Sequence, residues 1–244
     1  MRRFALIAIL AIVASLLWTS AAFAFRFTHG TSLNTIPTTE IRGEGEFEWD
    51  LTLGVSEAGS ADLFFSEDGR FLEQEFFAGL FEDFEFGMAF NGEREVGPFV
   101  LFGKYRIFDE NEDNFPVSLA VGIDNIVGTK DRFVSEPISY VVIGKNFDRA
   151  NGYVGFAHNA SGLQDDDSIF GGFDYDWNED WTFAADYYGI LSNEEATISG
   201  GLYYDWVNHF DIRGWVSYKT ATEDTLFVIE LAFTGRFDDL EAEV

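Results

Sequence analysis

Three groups of side chains in this sequence have types and spacings that could support chemistry. The first is His158, Asn159 and Ser161, which supply the residue types of a serine hydrolase. In an extended chain, His158 and Ser161 lie three positions apart and therefore point to opposite faces of a strand. His29 and His209 have no serine or carboxylate pattern around them that indicates a catalytic triad. We therefore expect that the protein is not an enzyme.

The second group consists of closely spaced carboxylates. Asp174–Asn178 matches the first ligand positions of a calcium-binding loop, but Glu179 replaces the turn glycine and Ala185 replaces the bidentate glutamate. The run Asp165–Asp167 could hold a divalent cation weakly, and such runs are more often simply solvated. The chain has no phosphate-binding glycine loop, paired zinc ligands or nucleophile elbow. We expect no metal site and no cofactor.

The third group consists of charged residues that alternate with apolar ones, as in the predicted hairpin Ser168–Gly189. Strand side chains have a period of two, so each arm has an apolar face and a partly acidic face. This pattern suits a wall between lipid and a wet lumen, because unpaired carboxylates are costly in a dry core. It predicts a lumen-facing set of charged side chains: Glu73, Glu75, Glu85, Lys104, Arg106, Asp174, Asp176, Asp186, Asp205, Asp211, Arg213 and Glu230.

Similar alternation over the rest of the chain predicts the elements that position these groups. We expect twelve strands, at 44–55, 71–81, 84–91, 98–108, 115–123, 137–147, 151–158, 168–177, 181–189, 195–206, 209–218 and 225–237. The connections between them alternate between long and short, which is typical of outer-membrane barrels and places both termini in the periplasm. The predicted fold class is therefore all-β, an antiparallel transmembrane β-barrel of about 12 strands.

Tryptophans near the predicted short turns indicate where the barrel meets the membrane surface. Aromatic residues are enriched at membrane–water interfaces, where an amphipathic ring is favoured. The predicted aromatic girdle consists of Trp49, Trp177, Trp181 and Trp206. The alternative is that these residues are anchors of hairpins in a soluble β-protein.

Composition limits the functional classes. The 244 residues carry a net charge of −28, with 18% aromatic residues and no cysteine. A nucleic-acid-binding protein would need a basic surface, so the negative charge argues against this class. Disulfides and thiolate sites require cysteine and are therefore excluded.

Residues 1–24 have the charged start, apolar stretch and Ala22-Phe23-Ala24 end of a cleaved signal peptide, the alternative being an uncleaved anchor. We divide the rest into residues 25–43, an irregular periplasmic lead-in or short lumen strap; residues 44–237, the barrel; and residues 238–244, an acidic tail.

The signal peptide, aromatic-x-aromatic strands and acidic turns resemble those of Gram-negative outer-membrane β-barrel proteins. More narrowly, Ile36–Thr39 leading into Gly43–Leu53, together with Tyr140–Phe147, resembles the barrel repeats of YjbH-like proteins, which are linked to exopolysaccharide secretion. The resemblance implies contact with outer-membrane lipid, lipopolysaccharide and the barrel-assembly machinery. The tail after Phe237 departs from the terminal aromatic residue that this machinery reads. The outer-membrane phospholipases share the strand number, but their histidine and serine lie two apart on one strand, unlike His158 and Ser161.

Three functions remain open at this stage. The first is a porin-like protein of the outer membrane, with a narrow acidic lumen that tolerates cations. The second is a non-conducting structural or accessory barrel, with a link to exopolysaccharide export, since bulky inward residues such as Phe102, Tyr188, Tyr203 and Trp215 favour a closed interior. The third is a soluble β-protein with an apolar ligand inside. The sequence leaves the solute and the oligomeric state open.

Overall fold

The structure, a computed structural model, describes residues 32–56, 70–91, 99–113, 115–124, 137–160, 165–191, 195–207 and 209–241. The predicted signal peptide and the last residues of the predicted tail lie outside these ranges. The strands are β1 (Glu46–Ser56), β2 (Arg70–Phe81), β3 (Phe84–Asn91), β4 (Phe99–Phe108), β5 (Ser118–Asp124), β6 (Ile138–Asn146), β7 (Ala150–Ala160), β8 (Asp165–Asp176), β9 (Trp181–Ile190), β10 (Ala196–Val207), β11 (Phe210–Lys219) and β12 (Asp224–Arg236).

These twelve strands form a closed antiparallel barrel, as the sequence predicted. Each strand pairs with its neighbours in the chain, and β1 pairs with β12 from Glu46↔Arg236 to Ser56↔Leu226. A closed sheet has no unpaired edge, so all backbone groups of the wall can bond to each other in a medium without water. Val141, Val142 and Ile143 form an apolar run without polar alternation, yet they lie in β6, where buried and exposed residues alternate from Ile138 to Gly144.

Two strands begin away from their predicted positions. The strand predicted at 115–123 begins at Ser118, and the preceding Phe115 stacks on Phe108 with ring centroids 4.2 Å apart. The strand predicted at 168–177 begins at Asp165, so all three consecutive aspartates pair with β7 rather than lying in a loop. The backbone ladder extended further there than side-chain alternation alone could indicate.

Large apolar side chains cover the outer face of the barrel. On β7, Val154 is 59% exposed whereas the adjacent Tyr153 is 6% exposed, and the other strands show the same contrast. Isolated exposed apolar residues are ordinary, but a continuous apolar band around a closed barrel is the surface expected against lipid. The helix α1 (Phe237–Glu241) ends the described chain, and within the described ranges no helix is both long and apolar enough to cross a membrane.

Both ends of the barrel wall lie at one rim. β1 starts at Glu46 and β12 ends at Arg236, and the two residues are joined by an ion pair of 2.8 Å. The same rim carries the connections at 82–83, 109–117, 147–149, 177–180 and 208–209. Strict alternation of connection length was wrong: residues 109–117 at this rim form a longer connection than 161–164 or 220–223 at the other. The count and direction of the strands, rather than loop length, bring the termini together.

The apolar band generates a prediction for Val154. If the outer face contacts lipid, Val154→Arg should destabilise the folded barrel by about 2–4 kcal/mol near the middle of a bilayer. Urea titration of the protein in lipid vesicles measures this change. Glu179→Arg, in the exposed turn at the rim, is the control and should change stability by less than about 0.5 kcal/mol. Equal effects of the two substitutions would contradict a lipid-facing position for Val154.

Candidate functional site in the barrel interior

Residues 32–43 enter the barrel interior, and we call them the lumen strap. Its tip is a tight turn in which Leu33 N–H donates to Ile36 O at 3.0 Å, and Ser32 pairs with Pro37. Ile36 is 0% exposed and Leu33 is 5% exposed, although neither belongs to a strand. These are the contacts of a strap inside the barrel rather than of a lead-in outside it.

The strap tip is anchored on Asp186 of β9. Asn34 Nδ2 and the Thr35 backbone N–H each donate to Asp186 Oδ2 at 3.0 Å, and Thr35 Oγ1 donates to Asp186 Oδ1 at 2.5 Å. Tyr203 on β10 donates its hydroxyl to Asn34 Oδ1 at 3.2 Å. A buried carboxylate needs several donors, and here the strap supplies three of them.

Inward-facing glycines in the wall leave room for the strap. A Cβ atom at Gly144 would lie 2.3 Å from Thr39 Oγ1, and one at Gly79 would lie 2.2 Å from the carbonyl oxygen of Arg42. A Cβ atom at Gly172 would lie 2.9 Å from Ile36 Cδ1, and one at Gly201 would lie 2.6 Å from Asn34 Oδ1, both on the strap. Four glycines of the strands thus accommodate the strap.

Farther along the strap, a tyrosine hydroxyl lies between two carboxylates. Tyr153 OH is 3.1 Å from Glu40 Oε1 on the strap and 3.1 Å from Asp174 Oδ2 on β8. Asn151 also donates to Asp174, through Nδ2 to Oδ1 at 2.9 Å. One hydroxyl proton can satisfy only one of the two carboxylates at a time, so this contact holds the strap less firmly than Asp186 does.

Arg42 fixes the strap where it meets β1. Its guanidinium forms an ion pair with Glu48, and its backbone N–H donates to Glu85 Oε2 at 3.0 Å. The guanidinium carbon also lies 5.8 Å from the centre of the Phe77 ring, within the range of a cation–π contact. The chain then leaves the interior along β2, where Gly45 N–H donates to Gly79 O at 3.0 Å.

The wall around Arg42 is highly charged. Arg213 on β11 contacts Glu48 at 2.8 Å and Glu230 at 3.1 Å, and Thr52 Oγ1 donates to Glu230 Oε2 at 2.7 Å. Lys104 on β4 lies 3.6 Å from Glu85. Closure of β1 against β12 brings Glu48 and Thr52 of β1 to Arg213 and Glu230 from the other end of the chain. Ion pairs of this kind offset the cost of placing charges inside a protein wall.

The opposite wall is apolar and contacts the strap tip. Leu33 and Ile36 pack in one cluster with inward residues of β5 to β9: Ala120, Ile138, Tyr140, Val142, Tyr153, Ala157, Phe170 and Ala184. Tyr188 and Tyr203, which we expected to constrict the lumen, pack against this cluster. The interior is therefore divided: charge predominates along β1–β4 and β10–β12, whereas β5–β9 carry an apolar cluster among which buried acids such as Asp174 and Asp186 also face the interior.

The structure brings most of the lumen-facing set to the interior, but not as one ring. Glu73, Glu75, Glu85, Lys104, Asp174, Asp186 and Glu230 are buried. Arg213, Asp211 and Arg106 are half-buried; Arg106 lies at the rim, 3.2 Å from Asp83 and 2.6 Å from Asp109. Asp176 and Asp205 are exposed near the same rim. The buried carboxylates of this set are connected mainly through contacts with Arg213 and with residues of the lumen strap.

Several buried acidic residues of the strands were absent from the predicted set, among them Asp124 of β5, Asp224 of β12 and two residues of β1. Glu48 and Asp50 on β1 are 1% and 5% exposed, facing the interior opposite the outward Trp49. The alternation of β1 already contained this signal, because Phe47, Trp49 and Leu51 mark the outer face. The role of Arg42 had no such signal, since the strap has no period.

The tryptophans of the predicted girdle lie at the rim that carries the termini. Trp177 and Trp206 are 70% and 57% exposed, and Trp181 packs on Tyr204 with ring centroids 4.6 Å apart. Trp49 pairs with Phe233 of β12 near the same rim. A shallow outer groove lies there, lined by Trp177, Asn178, Trp181, Phe183 and Leu202.

The described residues do not form the other two candidate sites, a serine hydrolase centre and a metal site. His158 Nδ1 lies 2.9 Å from Asp167 Oδ1, but both side chains are about half exposed on the outer face, and Ser161 lies outside the described residues. In the described ranges, no group of three or more histidine, aspartate or glutamate side chains has the arrangement of a metal site. The interior is thus the one candidate site that this part of the chain develops.

The fold and the interior define the class: a closed, twelve-stranded, strapped β-barrel with an apolar outer face. Among solved structures, the chain is similar to the KdgM porin, with a TM-score of 0.60, 12% identity and coverage of 76% of this chain and 98% of that chain. A second KdgM structure, in complex with disordered oligogalacturonate, gives a TM-score of 0.59 at 12% identity and the same coverage. The NanC porin gives 0.53 at 13% identity, again over 76% and 98%.

No protein-family model matches the chain, and no curated protein matches it at a significant level. At this level of identity the solved structures establish the fold, which is that of outer-membrane porins. They carry over no residue role and no solute.

The fit between Gly144 and Thr39 generates a second prediction. In Gly144→Leu, the new side chain should displace the strap, because the three atoms nearest to its Cβ position all belong to Thr39, at 2.3–3.2 Å. Hydrogen exchange at the Thr35 and Arg42 amides, which donate to Asp186 and Glu85, should accelerate by about 10–100-fold as hydrogen bonds to charged groups worth about 1.5–3 kcal/mol are lost.

Gly200→Leu is the matched control, since a Cβ atom there meets nothing within 4 Å. It should leave both amides protected. If both variants preserve slow exchange, the strap does not depend on the space at Gly144.

Proposed function

We propose that this protein is a porin-like channel of the outer membrane with a narrow, acidic lumen that prefers cations. The observation that carries the proposal is the charge of the wall on the β1–β4 and β10–β12 side. On that side, the carboxylates of Glu48, Asp50, Glu75, Glu85 and Glu230 are all buried, and they outnumber the basic residues. The bases that pair with these carboxylates are Lys104 and Arg213 on the wall and Arg42 on the strap. Carboxylates lining a pore favour the passage of cations.

The same charge argues against anionic solutes. One of the similar porin structures, KdgM, is in complex with oligogalacturonate, which is a polyanion. In this chain, such a ligand would meet a wall with more carboxylates than bases and would be repelled. We therefore propose that the shared fold carries a different solute preference here.

The proposal includes the location and the surroundings of the protein. A cleaved signal peptide at residues 1–24 would export the chain, and the barrel-assembly machinery would insert it among outer-membrane lipid and lipopolysaccharide. The apolar outer face supports a membrane position, and the exposed indoles of Trp177 and Trp206 suit a girdle at the interface.

A second candidate is a non-conducting accessory barrel with a role in exopolysaccharide export. The contact of Leu33 and Ile36 with the apolar wall favours it, because a strap packed in this way blocks that side of the lumen. The two stretches that resemble YjbH-like barrels also meet, as Thr39 packs on Gly144. This candidate predicts no conductance and a loss of surface polysaccharide on gene deletion.

Recordings from the purified protein in planar bilayers test the channel. Under a KCl gradient, the reversal potential should show a preference for K⁺. The double substitution Asp205→Asn/Asp211→Asn, which removes two inward charges near the rim, should lower the K⁺/Cl⁻ permeability ratio by about fivefold or more, since each charge 4 Å from an ion in water contributes about 1 kcal/mol.

The control for these recordings is Glu179→Gln/Asp180→Asn, which removes the same charge from the exposed turn outside the lumen. It should change the permeability ratio by much less, because salt screens distant exposed charges. Preference for Cl⁻ would contradict the proposal, and absence of conductance would favour the accessory barrel.

A further inference from the structure

Asp50 has an unusual position in the charged wall. Its side chain is 5% exposed, and among the residues that the structure describes, Asp50 Oδ1 has no hydrogen-bond partner. An ionised carboxylate oxygen that is buried without a donor destabilises a fold, typically by several kcal/mol. The oxygen faces the barrel interior, since Asp50 alternates with the outward Trp49 and Leu51.

The neighbours of Asp50 add negative charge. Glu75 is its direct partner across β1 and β2, and like charges in directly opposite positions repel. On β12 the opposite residue is Ala232, whose methyl group offers no donor. Glu230 also acts on Asp50 electrostatically, opposed by Arg213 and, from the strap, by Arg42.

The terminal nitrogens of these arginines are already engaged by other carboxylates, while Arg42 Nε is buried without a hydrogen-bond partner among the described residues. Arg213 contacts Glu48 and Glu230 at 2.8 and 3.1 Å, and Arg42 pairs with Glu48. Two guanidinium groups thus share this wall with four carboxylates, those of Glu48, Asp50, Glu75 and Glu230. The wall thus already binds two guanidinium groups, each a planar cation with several N–H donors. Asp50 Oδ1 remains as an acceptor for one more donor group.

We propose that Asp50, Glu75 and Glu230 form a binding site for a small organic cation with N–H donors, a guanidinium or primary ammonium ion. The described residues contain no group of acidic side chains arranged to coordinate a metal, so recognition is by hydrogen bonds and charge. Such a cation donates to Asp50 Oδ1 and separates Asp50 from Glu75. The site refines the proposed channel, because it specifies the class of cation that the lumen holds.

Calorimetric titration of the full-length folded protein in detergent with methylguanidinium chloride tests the site. Wild-type protein should bind it, and tetramethylammonium, which carries the same charge without an N–H donor, should bind at least about tenfold more weakly. Asp50→Asn should weaken methylguanidinium binding by at least about tenfold. Asp205→Asn, which removes an inward charge near the rim, is the control and should change the affinity by less than about twofold.

Several outcomes would overturn the proposal: no binding to the wild type, equal binding of the two cations, or unchanged binding in Asp50→Asn. If Asp50→Asn does not fold, Glu75→Gln provides the same comparison. Because the titration needs no current, it separates the two proposals. Binding without conductance in bilayers would refute the channel and keep the site, whereas cation conductance without binding would refute the site alone.

Discussion

The pairing of β1 with β12 is the constraint on which the rest of the structure depends. It removes both edges of the sheet, so the backbone of every strand has neighbours on two sides. It also creates the charged wall, because Thr52 and Glu48 on β1 meet Glu230 and Arg213 only after closure. The strap enters where this seam begins, and Phe237 N–H donates to Gly45 O at 2.9 Å at the same place.

The division of the interior follows from where the strap tip lies. Leu33 and Ile36 face the apolar residues of β5–β9, while Arg42 faces the carboxylates of β1 and β3. Each part of the strap therefore contacts a wall of matching chemistry. A strap held in this way leaves the carboxylates beside Arg42 as part of the polar surface of the interior.

The wall of the barrel could be predicted from the sequence because its signals are local. A period of two identifies the inner and outer face of each strand, as for Phe173 and Asp174 in β8 or Trp49 and Asp50 in β1. Antiparallel neighbours then follow from chain order. The strap could not be predicted in this way, because residues 32–43 have no period and all their partners lie far away in the sequence.

The partners of the lumen-facing charges were equally inaccessible. Alternation shows that Asp186 and Glu230 point inward, but only the closed barrel shows that one meets Thr35 and the other Arg213. Charge pairing across a lumen depends on barrel curvature and on strand register. Sequence reasoning therefore predicts the composition of this interior better than its connectivity.

The contacts that hold the strap inside the barrel differ in strength. Hydrogen bonds to a charged group contribute about 1.5–3 kcal/mol each, so the donors on Asp186 form the stronger attachment of the tip. The Tyr153 contact contributes less, because its single proton is shared between Glu40 and Asp174. The tip is therefore the firmly attached part of the strap, and the inward glycines leave the space in which it lies.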